Sequence, residues 1–335
     1  MSKKLYLENL GILKKAHIHL DGLSVIAGYN DTGKSTVGKV LMALIKTHNI
    51  CQKAKKSGKM KKKAKEFDKL LDLIFDFELN NAKIILSKNE EELYRVLIDK
   101  EKCLSFESEG WHYRDCTFIQ SPLVWDLYEF FSTINIITRN YEIYGGGFKL
   151  SYPYLLWDLY QKIALPPLDK YDNFKQSKEE LVEIMQGRFL KNNQKSYKFY
   201  RNNKEISLKN VSMGIKQLGI LQVLLDNNRI TPWGFLIFDE PENHLHPKWQ
   251  LKFADILTQL AAKNIPILVN THSPYMVEAL YKYAITNKTK INLHLSFDNK
   301  IEQIKNNEKT MELIFEKLNE PFNTFDELDR KNGRF

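Results

Sequence analysis

Apolar residues recur along this chain at two periods, and the places where the period changes predict its elements. Residues 3–27 read as strand, turn, strand. Leu5-Tyr-Leu7 and Ala16-His-Ile-His-Leu20 flank a turn at Asn9-Leu-Gly11. His17 and His19 alternate with apolar residues there, so they read as an exposed strand face rather than as metal ligands. Leu23-Ser-Val-Ile-Ala27 is a short buried strand. Val37, Val40, Leu41, Leu44 and Ile45 then give a helical stripe, and Phe67, Leu70, Leu71, Ile74 and Phe75 give a second one, read as core.

Residues 82–119 are β-rich, in Lys83–Leu86, Leu93–Ile98 and Thr117–Gln120. Residues 124–186 read as mainly helical. Trp125, Tyr128, Phe130, Phe131, Trp157 and Tyr160 stand out in that stretch. Their helical spacing favours a buried core over a base-stacking surface. Gly145-Gly-Gly147 is a loop between helices and Leu165-Pro-Pro167 a break. Residues 187–208 form a strand pair, Ser196–Tyr200 and Glu205–Leu208, turning at Asn202-Asn203. A helix follows from about Ile215 to Leu225. Gly234–Phe238 and Ile265–Asn270 are buried strands, and a helix between them opens on Pro247 and runs to about Ala262. The end of the chain alternates in Ile291–Phe297, turns at Asp298-Asn-Lys300, and closes on a short helix near residues 310–318.

Chemistry enters where the first buried strand meets the first helix. Gly28-Tyr-Asn-Asp-Thr-Gly33-Lys34-Ser35-Thr36 fits G-x-x-x-x-G-K-[ST] in full. The glycines let backbone N–H groups point inward at a polyphosphate on a helix N-terminus. In this pattern Lys34 reaches the β- and γ-phosphates and the Ser35 hydroxyl is a Mg²⁺ ligand. A second element is Gly234-Phe-Leu-Ile-Phe-Asp239-Glu240-Pro241, a buried strand that delivers two carboxylates at its C-terminal end. That is the sheet edge at which an open α/β sheet binds ligands. Asp239 is expected to hold Mg²⁺, directly or through water, and Glu240 to polarise the attacking water. His272, in Thr271-His272-Ser273-Pro274 after the next strand, is placed to sense the γ-phosphate.

Composition narrows the setting. A chain of 335 residues can hold one large domain or two modest ones. No apolar run approaches a membrane span and the N-terminus lacks a signal-peptide core, so a cytoplasmic protein with no membrane role is expected. Cys51, Cys103 and Cys116 are odd in number and form no C-x-x-C pair, which fits a reducing compartment. The net charge is +9, but removing the eight lysines between Lys53 and Lys65 leaves +1. That window is either a phosphate-tracking patch for nucleic acid or a solvated lysine loop.

The order of the motifs resembles the ABC-type ATPases of the RecF, SMC and OLD (overcoming-lysogenisation-defect) group, often labelled AAA ATPases in bacterial genomes. The motifs are G-x-x-x-x-G-K-S, a Gln after a strand, V-S-M-G, F-L-I-F-D-E-P-E, H-L-H-P and N-T-H-S. The resemblance covers residues 1–50 and 187–320. It implies an α/β P-loop NTPase fold with an ABC-type mixed sheet and a largely helical inserted subdomain. The division would be 1–54 (core, Walker A), 55–186 (insertion or lid with the Q-loop strand) and 187–335 (core, signature, Walker B and switch histidine). Gly28, Asn30, Asp31, Thr32, Gly33, Lys34, Ser35 and Thr36 would be the Walker A loop. Gln120 would be the Q-loop residue, coupling Mg²⁺ and water to a neighbouring domain. Ser212 and Gly214 would be the signature, touching ATP on the other subunit. Asp239 and Glu240 would be Walker B and catalytic base, Asn243 to His246 the D-loop, and His272 the switch. Ser35, Asp239 and Gln120 would hold Mg²⁺ beside ATP, the preference for ATP resting on the resemblance.

The departures matter. V-S-M-G-I-K is not the transporter signature L-S-G-G-Q, and no long heptad run separates the halves as in SMC arms. No acidic nuclease domain is expected. The resulting expectation is an ATPase that pairs around ATP, as a homodimer or higher homo-oligomer, and gates a separately encoded effector in anti-phage defence. The alternatives are a RecF-like repair ATPase on duplex DNA and an ATP-locked scaffold or sensor that stores a toxin.

Overall fold

Alternation builds the N-terminal strands. In β1 (Lys3–Leu10) Leu5, Leu7 and Leu10 are buried, and in β2 (Leu13–His19) Leu13, Ala16 and Ile18 are, so each presents one apolar face. They pair antiparallel, Leu5 opposite Ile18, through a turn in which Asn9 and Gly11 have positive φ. β3 (Leu23–Gly28) is buried at every position. In the computed structural model, residues 2–56, 58, 62–75, 79–108, 113–143, 153–168, 174–192, 196–304, 306–320 and 330–331 are described.

The chain continues through α1 (Lys34–Lys56), α2 (Lys63–Ile74), β4 (Ala82–Lys88), β5 (Glu91–Asp99), β6 (Lys102–Ser108) and β7 (Asp115–Ile119). Three helices follow, α3 (Tyr128–Ile143), α4 (Tyr154–Ala164) and α5 (Lys175–Met185). Then come β8 (Arg188–Lys191), β9 (Tyr197–Arg201), β10 (Lys204–Ile206) and α6 (Met213–Asp226). The last third alternates: β11 (Gly234–Asp239), α7 (Pro247–Ala262), β12 (Ile267–Thr271), α8 (Pro274–Thr286), β13 (Ile291–Phe297), β14 (Lys300–Glu302) and α9 (Asn307–Leu318).

The main sheet has eleven strands in the order β6-β5-β4-β1-β2-β14-β13-β3-β12-β11-β7. From β13 to β7 every neighbouring pair is parallel, so the carboxyl ends of β3, β12, β11 and β7 share one edge. These strands are buried on both faces, hence their continuous apolar runs. Ile26, Phe118, Ile237 and Leu268 point toward the layer of α1 and α2. Val25, Ile119, Phe238 and Val269 point toward the layer of α6, α7 and α8.

The boundary expected at residue 55 does not coincide with a break in the sheet. β4, β5 and β6 extend the main sheet beyond β1, and β7 closes its other edge. One-sided strands such as β5, with Tyr94, Val96 and Ile98 buried, need a sheet neighbour and find it in β4. The helical part of this stretch is α3 to α5. Its aromatics are core: Trp125, Tyr128, Phe131 and Tyr160 are buried, while Phe130 is exposed. Trp125 stacks on Phe189 of β8 with ring centroids 4.8 Å apart. The expected strand pair at 187–208 is a three-stranded sheet, β10-β9-β8. Gly145–Gly147 lies outside the described residues.

Candidate nucleotide-binding site

The loop between β3 and α1 bends because Asp31 and Gly33 take left-handed backbone angles, φ 60° and 89°. Gly33 is suited to this by its missing side chain. Asn30 to Thr36, with Ile12 and Glu240, line an open cleft of about 200 Å³ at the N-terminus of α1. The loop is pinned from outside. Thr32 Oγ1 donates to the Tyr29 carbonyl at 2.9 Å, and Ser296 Oγ of β13 donates to Thr32 Oγ1 at 2.8 Å. Lys34 is buried and donates to the carbonyls of Gly28, at 2.9 Å, and Tyr29. Burial lowers its pKa, opposed by the carboxylates of Glu240, Asp239 and Glu242.

Ser35 Oγ donates to Asp239 Oδ1 at 2.9 Å, and Asn270 Nδ2 of β12 donates to the same oxygen at 2.8 Å. Asp239 and Asn270 are register partners on neighbouring strands. Burial pushes the Asp239 carboxyl up, against the two hydrogen bonds that hold it down. Glu240 follows with φ 52°, which turns the chain off the strand at the sheet edge. Its Oε2 accepts from Asn243 Nδ2 at 3.0 Å, and its Oε1 lies 3.3 Å from His272 Nδ1. Glu242 is buried behind them. Its Oε1 accepts from Thr271 Oγ1 at 2.5 Å and from the His272 backbone N–H at 3.1 Å, and lies 3.4 Å from His272 Nδ1. Burial raises its pKa, opposed first by the Thr271 hydroxyl.

A divalent cation fits this corner chemically. Ser35 and Asp239 supply hard oxygen donors within hydrogen-bond distance of each other, and a cation would relieve the burial that disfavours the Asp239 carboxylate. Asn270 Oδ1 is buried there without a hydrogen-bond partner among the described residues.

The other expected residues sit elsewhere. Gln120 is exposed just beyond β7. Since Ile119 pairs with Phe238, it stands level with Asp239 along the same edge, outside the residues lining the cleft. Ser212 is exposed and caps α6, accepting from the Ile215 N–H at 3.5 Å. Gly214 is buried in the first turn, where a Cβ would come 2.5 Å from the His244 carbonyl oxygen. The start of α6 thus packs on the loop after Glu240, and neither Ser212 nor Gly214 lines the cleft. Among the lysines, Lys53, Lys55 and Lys56 end α1, Lys62 precedes α2, and Lys63 and Lys65 lie in its first turn. Lys59 and Lys61 lie outside the described residues. Lys63 Nζ donates to Ser108 Oγ at 2.5 Å.

Sequence reasoning assigned no role to Glu242, Asn270, Thr271 or Ser296. Each acts across strands, and the available signal was only their place inside D-E-P-E, N-T-H-S and the last long strand.

Two family models match the chain. The one described as "AAA ATPase domain" covers residues 1–158, and the one described as "AAA domain, putative AbiEii toxin, Type IV TA system" covers residues 121–278. The protein called "Retron Vc95 probable ATPase" of Vibrio cholerae serotype O1 biovar El Tor is 34% identical over 87 residues. Those residues make 23% of this chain and 17% of that protein. Among solved structures, an SMC head bound to the C-winged helix domain of ScpA matches with a TM-score of 0.50 at 16% identity, covering 93% of this chain and 99% of that one. The SMC head domain from Thermotoga maritima matches with a TM-score of 0.45 at 16% identity, covering 91% and 99%. The likeness to the ScpA-bound head is one of fold. No helix among the described residues is long and apolar enough to cross a membrane. The two family models together span residues 1–278, and with the phosphate loop and its Asp-Glu strand they mark the chain as an ATPase-domain protein of the AAA-labelled kind.

Proposed function

We propose that this chain hydrolyses ATP with Mg²⁺, that two copies close head to tail around the nucleotide, and that the closed pair gates a separately encoded effector in defence against phage. The observation that carries the reading is the convergence of Ser35, Asp239, Glu240 and His272 on one sheet edge, while Ser212 stands exposed away from that cleft. A signature serine outside its own site has a use when a second copy presents it.

Ser35 and Asp239 would hold Mg²⁺, which when bound neutralises charge on the β- and γ-phosphates. Backbone N–H groups of residues 30–36 cradle the phosphates, and Lys34 exchanges its loop carbonyls for phosphate oxygens. Glu240 takes the proton from water as the water oxygen bonds to the γ-phosphorus and the bond to the β–γ bridging oxygen breaks. His272 is held beside that carboxylate by Glu242, where it orients Glu240 and senses the γ-phosphate. Gln120, beside Asp239, would report the state of the site to α3 and α4. Support for a defence role comes from the AbiEii description of one family model and from the name of the Vibrio retron relative.

Mixing variants tests the paired site. Lys34→Ala disables one phosphate loop and Ser212→Arg one signature, and each alone should be inactive. A mixture should recover about a quarter of wild-type turnover, because random pairing makes half the dimers hybrid with one intact site each. No recovery at any ratio, with Ser212→Arg still binding ATP, would sink the head-to-tail reading.

A further inference from the structure

The end of the chain is built onto the back of the phosphate loop. β13 runs parallel to β3 with Ser296 opposite Gly28, where a Cβ on the glycine would come 2.2 Å from the Ser296 carbonyl oxygen. α9 is fixed to the same strand. Asn307 Oδ1 accepts from the Leu293 N–H at 2.9 Å, and Asn307 Nδ2 donates to the Ile291 carbonyl at 2.7 Å. Toward its other end Ile314 and Leu318 are buried, and the Lys317 ammonium lies 4.6 Å from the centre of the Phe297 ring.

Tyr29 joins this helix to the loop. Its hydroxyl reaches the Lys317 carbonyl in the last turn of α9 and lies 2.9 Å from Glu320 Oε2, 288 and 291 positions along the chain. Its own carbonyl accepts from Thr32 Oγ1 at 2.9 Å and from Lys34 Nζ. The nucleotide motif leaves this position open to any residue, and Tyr29 is not among the residues that line the cleft. Phosphate chemistry therefore does not account for the hydroxyl, whereas the span from α9 to the loop does.

A phosphate loop binds through backbone N–H groups that must stand in place. Any loop backbone left loose has to be ordered when nucleotide arrives, at the expense of affinity. The last carbonyls of a helix lack partners along the helix, and the Tyr29 hydroxyl serves one of them. We propose that Tyr29 is a positioning residue that couples the phosphate loop to α9, so that nucleotide in the loop and order in the last turn of α9 stabilise each other. The inference rests on the ATP reading of that loop. Such coupling is reciprocal. Contact made at the end of α9, where Glu316 and Glu320 are exposed, therefore changes nucleotide affinity without touching the cleft.

The test is Tyr29→Phe in the full chain, which keeps the ring and removes the hydroxyl. Titration with a fluorescent ATP analogue and Mg²⁺ should show Kd raised about three- to tenfold, the worth of one hydrogen bond. In steady-state turnover KM should rise while kcat holds, because Asp239, Glu240 and His272 are seated by Asn270, Asn243 and Glu242 instead. Hydrogen exchange reads the opposite direction. A saturating, non-hydrolysable ATP analogue should slow exchange of the amides at residues 315–320 in wild type and not in Tyr29→Phe. Glu320→Ala, at an exposed position, should weaken binding less, since the Lys317 carbonyl remains, and should add nothing in the Tyr29→Phe background. Equal Kd in wild type and Tyr29→Phe overturns the coupling and leaves the ATP reading standing. Equal nucleotide-induced protection of α9 in the two proteins does the same, as do additive losses in the double variant. A wild-type chain that binds no nucleotide removes both.

Discussion

The Ser35 hydroxyl donates to the Asp239 carboxylate at 2.9 Å although the two residues are 204 positions apart. The contact joins the start of α1 to the end of β11 and places a hydroxyl and a carboxylate where a phosphate-bound cation would sit. Asp239→Asn keeps the shape and removes the charge. Burial already disfavours the ionised carboxylate, so the amide should leave ligand-free thermal stability unchanged or higher. Nucleotide affinity in the presence of Mg²⁺ should nevertheless fall at least tenfold. Titration of a fluorescent ATP analogue with Mg²⁺ and with a chelator separates the cases. A loss of equal size in both would mean that Asp239 shapes the loop rather than holding a cation.

Glu240 and Glu242 flank the His272 ring but differ in what they support. Glu240 faces the cleft, and Glu240→Gln should keep ATP binding and fold stability while lowering kcat by roughly 10²–10⁴, the span of general-base catalysis. Glu242 accepts from Thr271 Oγ1 and from the His272 N–H in the interior. Glu242→Ala would strand both donors and should cost about 1–3 kcal/mol of stability, with kcat falling as His272 loses its seat. Denaturant titrations beside steady-state turnover check this. A Glu240→Gln protein with wild-type kcat would remove Glu240 from the chemistry.

The nucleotide loop and the Asp-Glu strand are legible in sequence because each is contiguous and its residue types follow from phosphate and cation chemistry. The parallel core is legible for a related reason: strands buried on both faces, such as Leu23–Ala27 and Phe235–Phe238, read as unbroken apolar runs. What is not legible is lateral. Asn270 meets Asp239 because β12 lies beside β11 in parallel register, and Ser296 reaches Thr32 because β13 lies beside β3. Neither adjacency leaves a local trace. β6 escapes a pattern reading because Leu104 on it is 67% exposed, and β14 because it is three residues long and extended by its neighbours.

His294 makes the fold sensitive to acid. It is fully buried on β13, donating from Nδ1 to the Val25 carbonyl at 3.2 Å and accepting at Nε2 from the His19 N–H at 3.0 Å. Burial pushes its pKa down to about 3 from 6.5. The unfolded chain therefore binds a proton between those values that the folded chain refuses. Stability is complete above 6.5 and falls by about 1.4 kcal/mol per pH unit below it. Burial lowers His17, His19 and His48 as well, with the same sign. Urea midpoints from pH 7.5 to 5 should fall more steeply in wild type than in His294→Asn. Parallel slopes would show that His294 is protonated within the fold.

Gly214 ties the start of α6 to the loop that leaves β11. A Cβ at this position would meet the His244 carbonyl oxygen at 2.5 Å and the Trp249 ring at 3.3 Å. The carbonyl is backbone, and His244 itself sits at φ 68°, so the loop has little freedom to yield. Gly214→Ala should therefore push the start of α6 off residues 240–246, at a cost of about 1–3 kcal/mol. No α6 residue lines the cleft, so a single subunit should still bind ATP with near wild-type affinity while turnover of the paired form collapses. Ser212→Gly is the informative companion. Glycine costs an N-cap only a few tenths of a kcal/mol, so that variant keeps α6 in place and removes the hydroxyl alone. If Ser212→Gly turns over ATP as wild type does while Gly214→Ala does not, the packing of α6 on the 240–246 loop matters and the serine hydroxyl does not. Loss in both, with ATP binding intact, places the hydroxyl itself on the nucleotide of the second copy.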